Sequence, residues 1–403
     1  MKSNILENFQ NLKPSDQNIC FLHSAQKGKN ILASNPIAEF KGNDLEKFKE
    51  FTNKNKKNLL IGYISYDVSY DLYDIKPKAQ NDLNLPSINF FAFNKWSEES
   101  TTKKQTRLKI KDFGEKIKFE IKITKEEYKK AFNKIKNYIK EGDIYQINLT
   151  HRLEAKTKAS GKDLFLKITE KNPVDHLAYL QTSNAEILSA SPEKFIKIKN
   201  NIIETCPIKG TRPRGKNKTE DLKFSKELIS SEKEAAELNM ITDLLRNDLG
   251  KVCKTGSVKV KGHRILQKCP TVWHTYSRIT GKIKTTPIEA LISMLPGGSI
   301  TGCPKKRAIE IIDELEPTMR GIYTGVIGYI LPEQKELNFS IAIRTIIKKG
   351  EKLYLQVGGG IVNDSKEKDE FTETMNKALS FQNLFNGNSA RGNQLLQQHN
   401  RNN

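Results

Sequence analysis

An α+β fold with large, mostly antiparallel sheets is what this 403-residue sequence predicts. Three observations carry that prediction. Apolar runs of strand length recur between turn residues, a few amphipathic helical segments stand among them, and no βαβ rhythm appears that would build a doubly wound parallel sheet.

Residues 1–107 read as a strand-rich N-terminal part, in which NICFLHSA, NLLIGYISYDVSYDLYD and LPSINFFAF look like strands and few long helical patterns intervene. The Lys-rich stretch that begins near Thr101 predicts a linker over 108–123. Residues 124–385 are expected to form the catalytic domain. It opens with a helix, because Tyr128, Phe132, Ile135, Tyr138 and Ile139 share one face, Thr124 and Glu127 fit a capping box, and Gly142 ends the pattern. IYQINLT follows as a strand. A second helix is expected over about 222–249, with Leu238, Ile241, Leu245 and Leu249 as its apolar stripe; a third over about 304–315; and a fourth over 366–381. GIYTGVIGYI, NFSIAIRTII and KLYLQVGGGIV read as strands between them, and the Asn/Gln-rich residues 386–403 as a disordered tail.

Composition narrows the function classes. The chain is 36% hydrophobic and long enough to bury a deep pocket, so size permits an enzyme. MKSNILENFQNLKP lacks a signal-peptide core, and no run approaches the roughly 18 apolar residues of a membrane span, so a cytoplasmic protein without a membrane partner is expected. Five cysteines without a C-x-x-C pair suggest neither a disulfide framework nor a thiolate zinc site. The formal charge of +21 invites a nucleic-acid reading, but the lysines are spread among Glu, Asp and Asn rather than clustered, which argues against it. A positive field of this kind attracts a small dianion or an acidic partner.

Several residues could carry chemistry. Lys209 stands in a Pro/Gly-bounded turn, CPIKGTRPRG, where an amine can be a nucleophile rather than a surface charge. Glu234 with Glu237, and Glu370 with Glu373, are three apart on expected helices, so each pair projects from one face. Two such faces meeting in a cleft would suit Mg²⁺, although such pairs are as a rule solvated helix surface and spacing alone does not choose. PGGSITGCPKK opens a helix and VGGGIVNDS follows a strand; both could present N–H groups to an anion or serve as caps and turns. The first is not a nucleotide P-loop, since Cys303 stands where that motif needs lysine. Glu193 in SASPEKF ends a strand, where an acid aimed into a pocket and an exposed loop carboxylate both occur; His274, taken alone, reads as structural.

Taken in order, GDIYQINL, SASPEKF, CPIKGTRPRG, EAAELNMITDLLRNDLG, VWHTYSRITG, LPGGSITGCPKK, RGIYTGVIGY, NFSIAIRTI and VGGGIVNDSKEKDEFTETMNKA closely resemble the motifs of chorismate-utilising enzymes. The likeness is to the chorismate-binding subunits of anthranilate synthase and aminodeoxychorismate synthase, and it runs from about residue 18 to 385. It implies the α/β sandwich of anthranilate synthase component I, two interlocked halves with the active site in a deep cleft. It further implies that Glu237 and Glu373 hold Mg²⁺ with Glu234 and Glu370 supporting, and that Tyr323, Arg344 and the amides of Gly358, Gly359 and Gly360 grip the substrate carboxylates. Thr301, Thr211 and Gln146 would line the pocket, Glu193 would be the general acid, and His274 the pocket histidine.

Two positions separate branches of the family. Water-adding relatives carry lysine where this chain has Gln146, and anthranilate synthases resemble PIAGT where this chain reads PIKGT, so Lys209 points to the aminodeoxychorismate synthase branch of folate biosynthesis. The alternative is the anthranilate synthase large subunit. FLHS and NPVDH stand where tryptophan-regulated relatives resemble LLES and NPSPY, which argues against tryptophan feedback. No glutaminase nucleophile motif is visible, so ammonia is expected from a partner glutamine amidotransferase.

Overall fold

The computed structural model describes residues 4–386 apart from 14, 26–27, 102–115 and 270–271. The first half of the expected linker, 108–115, and almost all of the expected tail lie outside those residues, whereas Glu120–Ile121 in the second half of the linker is a short strand of the first sheet. Among the described residues there are two ten-stranded sheets in which every strand pair is antiparallel, as the alternating runs predict. In the first sheet Gln146–Lys156 pairs with Lys352–Ile361, and Thr345–Lys349, Glu186–Ser191 and His176–Gln181 follow. In the second, Ile208–Pro213 and Val272–Lys282 lead through Ile202–Thr205 to Lys194–Lys199, Glu336–Ile341 and Val326–Ile330. The N-terminal part extends both: Cys20–His23 pairs with His176–Gln181, and Leu59–Ile64 pairs with Val326–Ile330.

The sheets face each other and helices cover their outer faces. Leu59–Ile64 shows why its sequence is apolar at every position: Leu59, Ile61 and Tyr63 join the cluster between the sheets, whereas Leu60 and Ile64 join the cluster under the helices. Each such side chain contributes about 1.5–3 kcal/mol on burial. The first expected helix is Lys125–Lys140, with both halves of its Thr124–Glu127 capping box formed. The third and fourth are Lys305–Leu315 and Glu367–Phe385.

Four local expectations are corrected. The second helix is two, Lys218–Ser230 and Glu232–Val252, because Ser231 takes an extended conformation and its side chain caps Glu234 N; Leu238, Ile241, Leu245 and Leu249 are all buried, as the stripe predicts. Residues Val68–Leu72 turn helical after the strand. Lys209 lies not in a turn but in the strand Ile208–Pro213, where a bulge between Lys209 and Thr211 is made by Gly210 at φ +79°. The three glycines 358–360 lie inside the strand Lys352–Ile361, as the run KLYLQVGGGIV reads, so the expected Gly-rich loop begins only after them.

NFSIAIRTII also divides, and the division places the site. Glu336–Ile341 belongs to the second sheet and Thr345–Lys349 to the first, and between them Arg344 adopts φ +50°. A second crossing runs beside it: Glu186–Ser191 lies in the first sheet, Lys194–Lys199 in the second, with Glu193 between. Backbone bonds tie the crossings together, Ile341 N donating to Glu193 O at 3.1 Å and Ala190 N to Arg344 O at 3.0 Å.

Candidate active site

The Glu193 crossing buries its side chain to 7% exposure. Ser299 Oγ, from the short 3₁₀ turn Gly298–Ile300, donates to Glu193 Oε1 at 2.9 Å. Burial pushes this carboxyl up to about 7, with the Ser299 hydrogen bond and the charge of Lys209 pulling the other way. A carboxyl of that kind carries a proton near neutrality and can donate it.

Lys209 enters from the neighbouring strand, half-buried, with its backbone paired to Thr275. Its charge is felt by Glu193, Glu237 and Glu373, so the amine lies in the field of three carboxylates contributed by three elements. One strand over, His274 is buried and its Nδ1 lies 2.9 Å from Thr211 Oγ1. Burial and then the charge of Arg344 push this imidazole down to about 4, so the ring is neutral at ordinary pH. The Arg344 guanidinium has no hydrogen bond or ion pair among the described residues, and burial holds it below the usual arginine range. A partly buried guanidinium of this kind suits a carboxylate ligand.

Helix Glu232–Val252 brings Glu234 and Glu237, and helix Glu367–Phe385 brings Glu370 and Glu373. Burial pushes Glu237 up, with Glu234 and Glu373 adding repulsion against Lys209 and Lys233; burial and Glu373 likewise raise Glu370, which accepts from Ser365 Oγ at 2.6 Å. Glu234 pairs with Arg212 at 3.0 Å, and Glu373 with Lys377 at 2.9 Å, a contact that holds Glu373 low despite its desolvation. No group of three metal-ligating side chains is assembled among the described residues. The four carboxylates do fit a hard divalent cation in kind: the donors are all oxygen, and a cation would relieve the mutual repulsion that raises Glu237 and Glu370.

The strand Lys352–Ile361 supplies backbone. It pairs with Gln146–Lys156 along its length but with Thr345–Lys349 only as far as Leu355, so beyond Leu355 its other edge is not taken by a strand among the described residues. Side chains are excluded there. A Cβ at Gly359 would lie 3.3 Å from Glu370 Oε2 and one at Gly360 2.7 Å from Gln146 Nε2, while one at Gly210 would meet Glu234 Oε2 at 2.8 Å. Gln146 is 4% exposed, and its Oε1 has no partner among the described residues.

Two expected pocket residues stand elsewhere or are occupied. Thr301 is fully buried and its hydroxyl donates to Gly297 O at 2.8 Å within its own loop. Tyr323 is buried beside Arg320 and Glu316, and it lines a small cavity of about 10 Å³ with Arg152, Thr345, Tyr354 and Gln356. A larger groove of about 360 Å³, lined by Asn53, Lys56, Asn200, Asn201, Glu333 and Lys335, contains none of the expected site residues. Sequence reasoning missed Ser299, Arg212 and Lys377. Ser299 shares the Gly-rich loop with Thr301, and Glu373–Lys377 is an i, i+4 pair that could have been read from spacing.

Residues 17–383 match the family of chorismate binding enzymes, and the chain belongs to it. It is 32% identical to aminodeoxychorismate synthase component 1 of Bacillus subtilis (strain 168), with 94% of each chain covered. It is 44% identical to anthranilate synthase component 1 of Acetivibrio thermocellus over 64% of this chain, a match that spans 52% of that protein. Its fold superposes with a TM-score of 0.79 on the crystal structure of anthranilate synthase component I from Streptococcus pneumoniae TIGR4, at 27% identity, covering 94% of this chain and 97% of that one. No helix among the described residues is long and apolar enough to cross a membrane.

Proposed function

We propose that this chorismate-binding enzyme is an aminodeoxychorismate synthase component, converting chorismate and ammonia into 4-amino-4-deoxychorismate. The observation that carries the reading is the position of Lys209: a half-buried amine in the field of Glu193, Glu237 and Glu373. The relative from Bacillus subtilis, alike over 94% of both chains, supports it.

The substrate carboxylates lie against Arg344, the backbone of Gly358–Gly360 and the pocket wall of Gln146 and Thr211, with neutral His274 keeping the Thr211 hydroxyl oriented. Tyr323 stands in the layer behind this wall. The Lys209 amine, once it has given a proton to solvent, forms a bond to ring carbon C2, the ring double bonds shift, and the C4–oxygen bond breaks. Glu193 gives its proton to that departing hydroxyl, which would otherwise be a poor leaving group. Ammonia then forms the C4–nitrogen bond and the C2–lysine bond breaks, leaving the amino group para to the ring carboxylate. Mg²⁺, held by Glu237 and Glu373 with Glu234 and Glu370 behind them, would polarise a substrate carboxylate. The ammonia comes from a glutamine amidotransferase partner, and the product feeds 4-aminobenzoate and folate synthesis in the cytoplasm.

Purified protein incubated with chorismate, Mg²⁺ and ammonium yields 4-aminobenzoate only once the cognate lyase is added. Anthranilate fluorescence without lyase would overturn the proposal in favour of the second reading, anthranilate synthase, which the 44% identity to the Acetivibrio protein supports. Intact-mass measurement after chorismate addition reads the lysine adduct directly.

A further inference from the structure

Loop 296–304 carries Ser299, the hydroxyl that holds Glu193, and its own anchorage is charged and buried. Lys305 Nζ lies 2.6 Å from Asp248 Oδ2, with side chains 6% and 2% exposed. Asp248 comes from the helix that carries Glu234 and Glu237, and Lys305 is the first residue of the helix that follows the loop. A lysine at a helix N-terminus is set against the helix dipole, and burying it costs more, so the position needs Asp248 to be tolerated. Between the two lies Gly298, where a Cβ would lie 2.5 Å from Leu244 and 3.5 Å from Lys305 Cε. The loop is therefore wedged between the two helices with no room for a side chain. Ile300 O, accepting from Arg320 at 3.0 Å, and Thr301 O, accepting from Asn148 N at 2.9 Å, hold its far side.

We infer that Asp248 and Lys305 are positioning residues that clamp loop 296–304 so that Ser299 engages one oxygen of Glu193 and leaves the other to the cleft. The inference rests on the proposed role of Glu193 as proton donor. The charged groups around the two ends are few. Lys209 faces Glu193, while Lys251, Cys303 and Tyr73 lie in the field of the Asp248–Lys305 pair. The Ser299 hydrogen bond favours the charged carboxylate, so its removal leaves Glu193 protonated to higher pH.

The experiment compares Ser299→Ala, Ser299→Thr and Lys305→Met by the pH dependence of chorismate consumption, plotted against free ammonia, and by hydrogen exchange of residues 296–304. Ser299→Ala moves the limb on which activity falls with rising pH toward higher pH, and Ser299→Thr restores it. Lys305→Met moves the limb in the same direction and speeds exchange of the loop at least about tenfold while that of Glu232–Val252 is unchanged. A Ser299→Ala limb that stays in place, or a Lys305→Met protein whose loop exchanges as in the parent, overturns the inference. Should Lys305→Met not fold, Asp248→Asn, which keeps the shape and removes the charge, is read by the same limb and the same loop exchange, and a loop that exchanges as in the parent overturns the inference. A parent protein that consumes no chorismate at any pH defeats the functional reading instead, and the exchange arm still tests the clamp.

Discussion

The two sheets treat the cleft differently. The first offers backbone and a neutral amide: the glycines of Lys352–Ile361, crowded by Thr150, Glu370 and Gln146, and Gln146 itself with an oxygen that has no partner among the described residues. The second offers groups that can change protonation or form bonds: Lys209 on the bulged edge strand, His274 beside it, and Glu193 at its boundary with the first. On the proposed reading the first sheet is suited to recognising a dianion, and the second to deciding what happens to it. Edge strands and bulges are where an antiparallel sheet can re-aim one side chain without disturbing its core. A single position such as 209 can then alter the reaction while recognition stays the same.

That division can be broken by substitution. Glu193→Gln should reduce kcat about 10²–10⁴-fold, the usual reach of general acid catalysis, with chorismate affinity by calorimetry little changed. If affinity falls instead, the boundary between recognition and chemistry is misplaced. Gly360→Ala should do the reverse, driving a methyl into Gln146 Nε2 and weakening chorismate binding by about tenfold or more, with the pH profile unaltered. Glu237→Gln should weaken the Mg²⁺ dependence about tenfold, read by calorimetric Mg²⁺ titration as well as by rate; an unchanged titration would remove it from the ligand set.

The pH profile sharpens the comparison further. Activity that needs protonated Glu193 is full below about 7 and is lost as pH rises through that value, when plotted against free ammonia. Stability responds in the opposite sense. His23 and His151 of the first sheet are pushed by burial to about 4, and His176 by burial and two lysines to about 3. These folded values lie below the usual imidazole value, so the stability they represent is full above about 6.5 and is lost as pH falls toward 4. Hydrogen exchange on acidification should accelerate first in the strands that carry such rings, Cys20–His23, Gln146–Lys156 and His176–Gln181 of the first sheet and, through His274, Val272–Lys282 of the second; a uniform acceleration across both sheets would count against the assignment.

Much of this was legible in the sequence because it depended on pattern. Alternating and continuous apolar runs gave the antiparallel sheets, the Thr124–Glu127 capping box placed a helix start, and the E-x-x-E spacings put four carboxylates on two helices. What was not legible depended on where the chain changes sheet. NFSIAIRTII reads as one strand because both of its halves are buried, and nothing local marks Arg344 as the crossing. Lys209 reads as a turn residue because Gly210 beside it is the same signal whether it makes a turn or a bulge. Ser299 was missed because its partner, Glu193, is more than a hundred residues away.

The paired crossings at Glu193 and Arg344 have a consequence for how this molecule can vary in length. Most connections in such a protein absorb an added residue by bulging outward into water. Here one extra residue beside position 192 or 343 would leave two sheets out of step at once, pulling Glu193, the proposed proton donor, and the buried Arg344 guanidinium apart by the backbone itself. Lineage after lineage should therefore accept insertions at the outer hairpins while keeping these two short spans at a constant residue count.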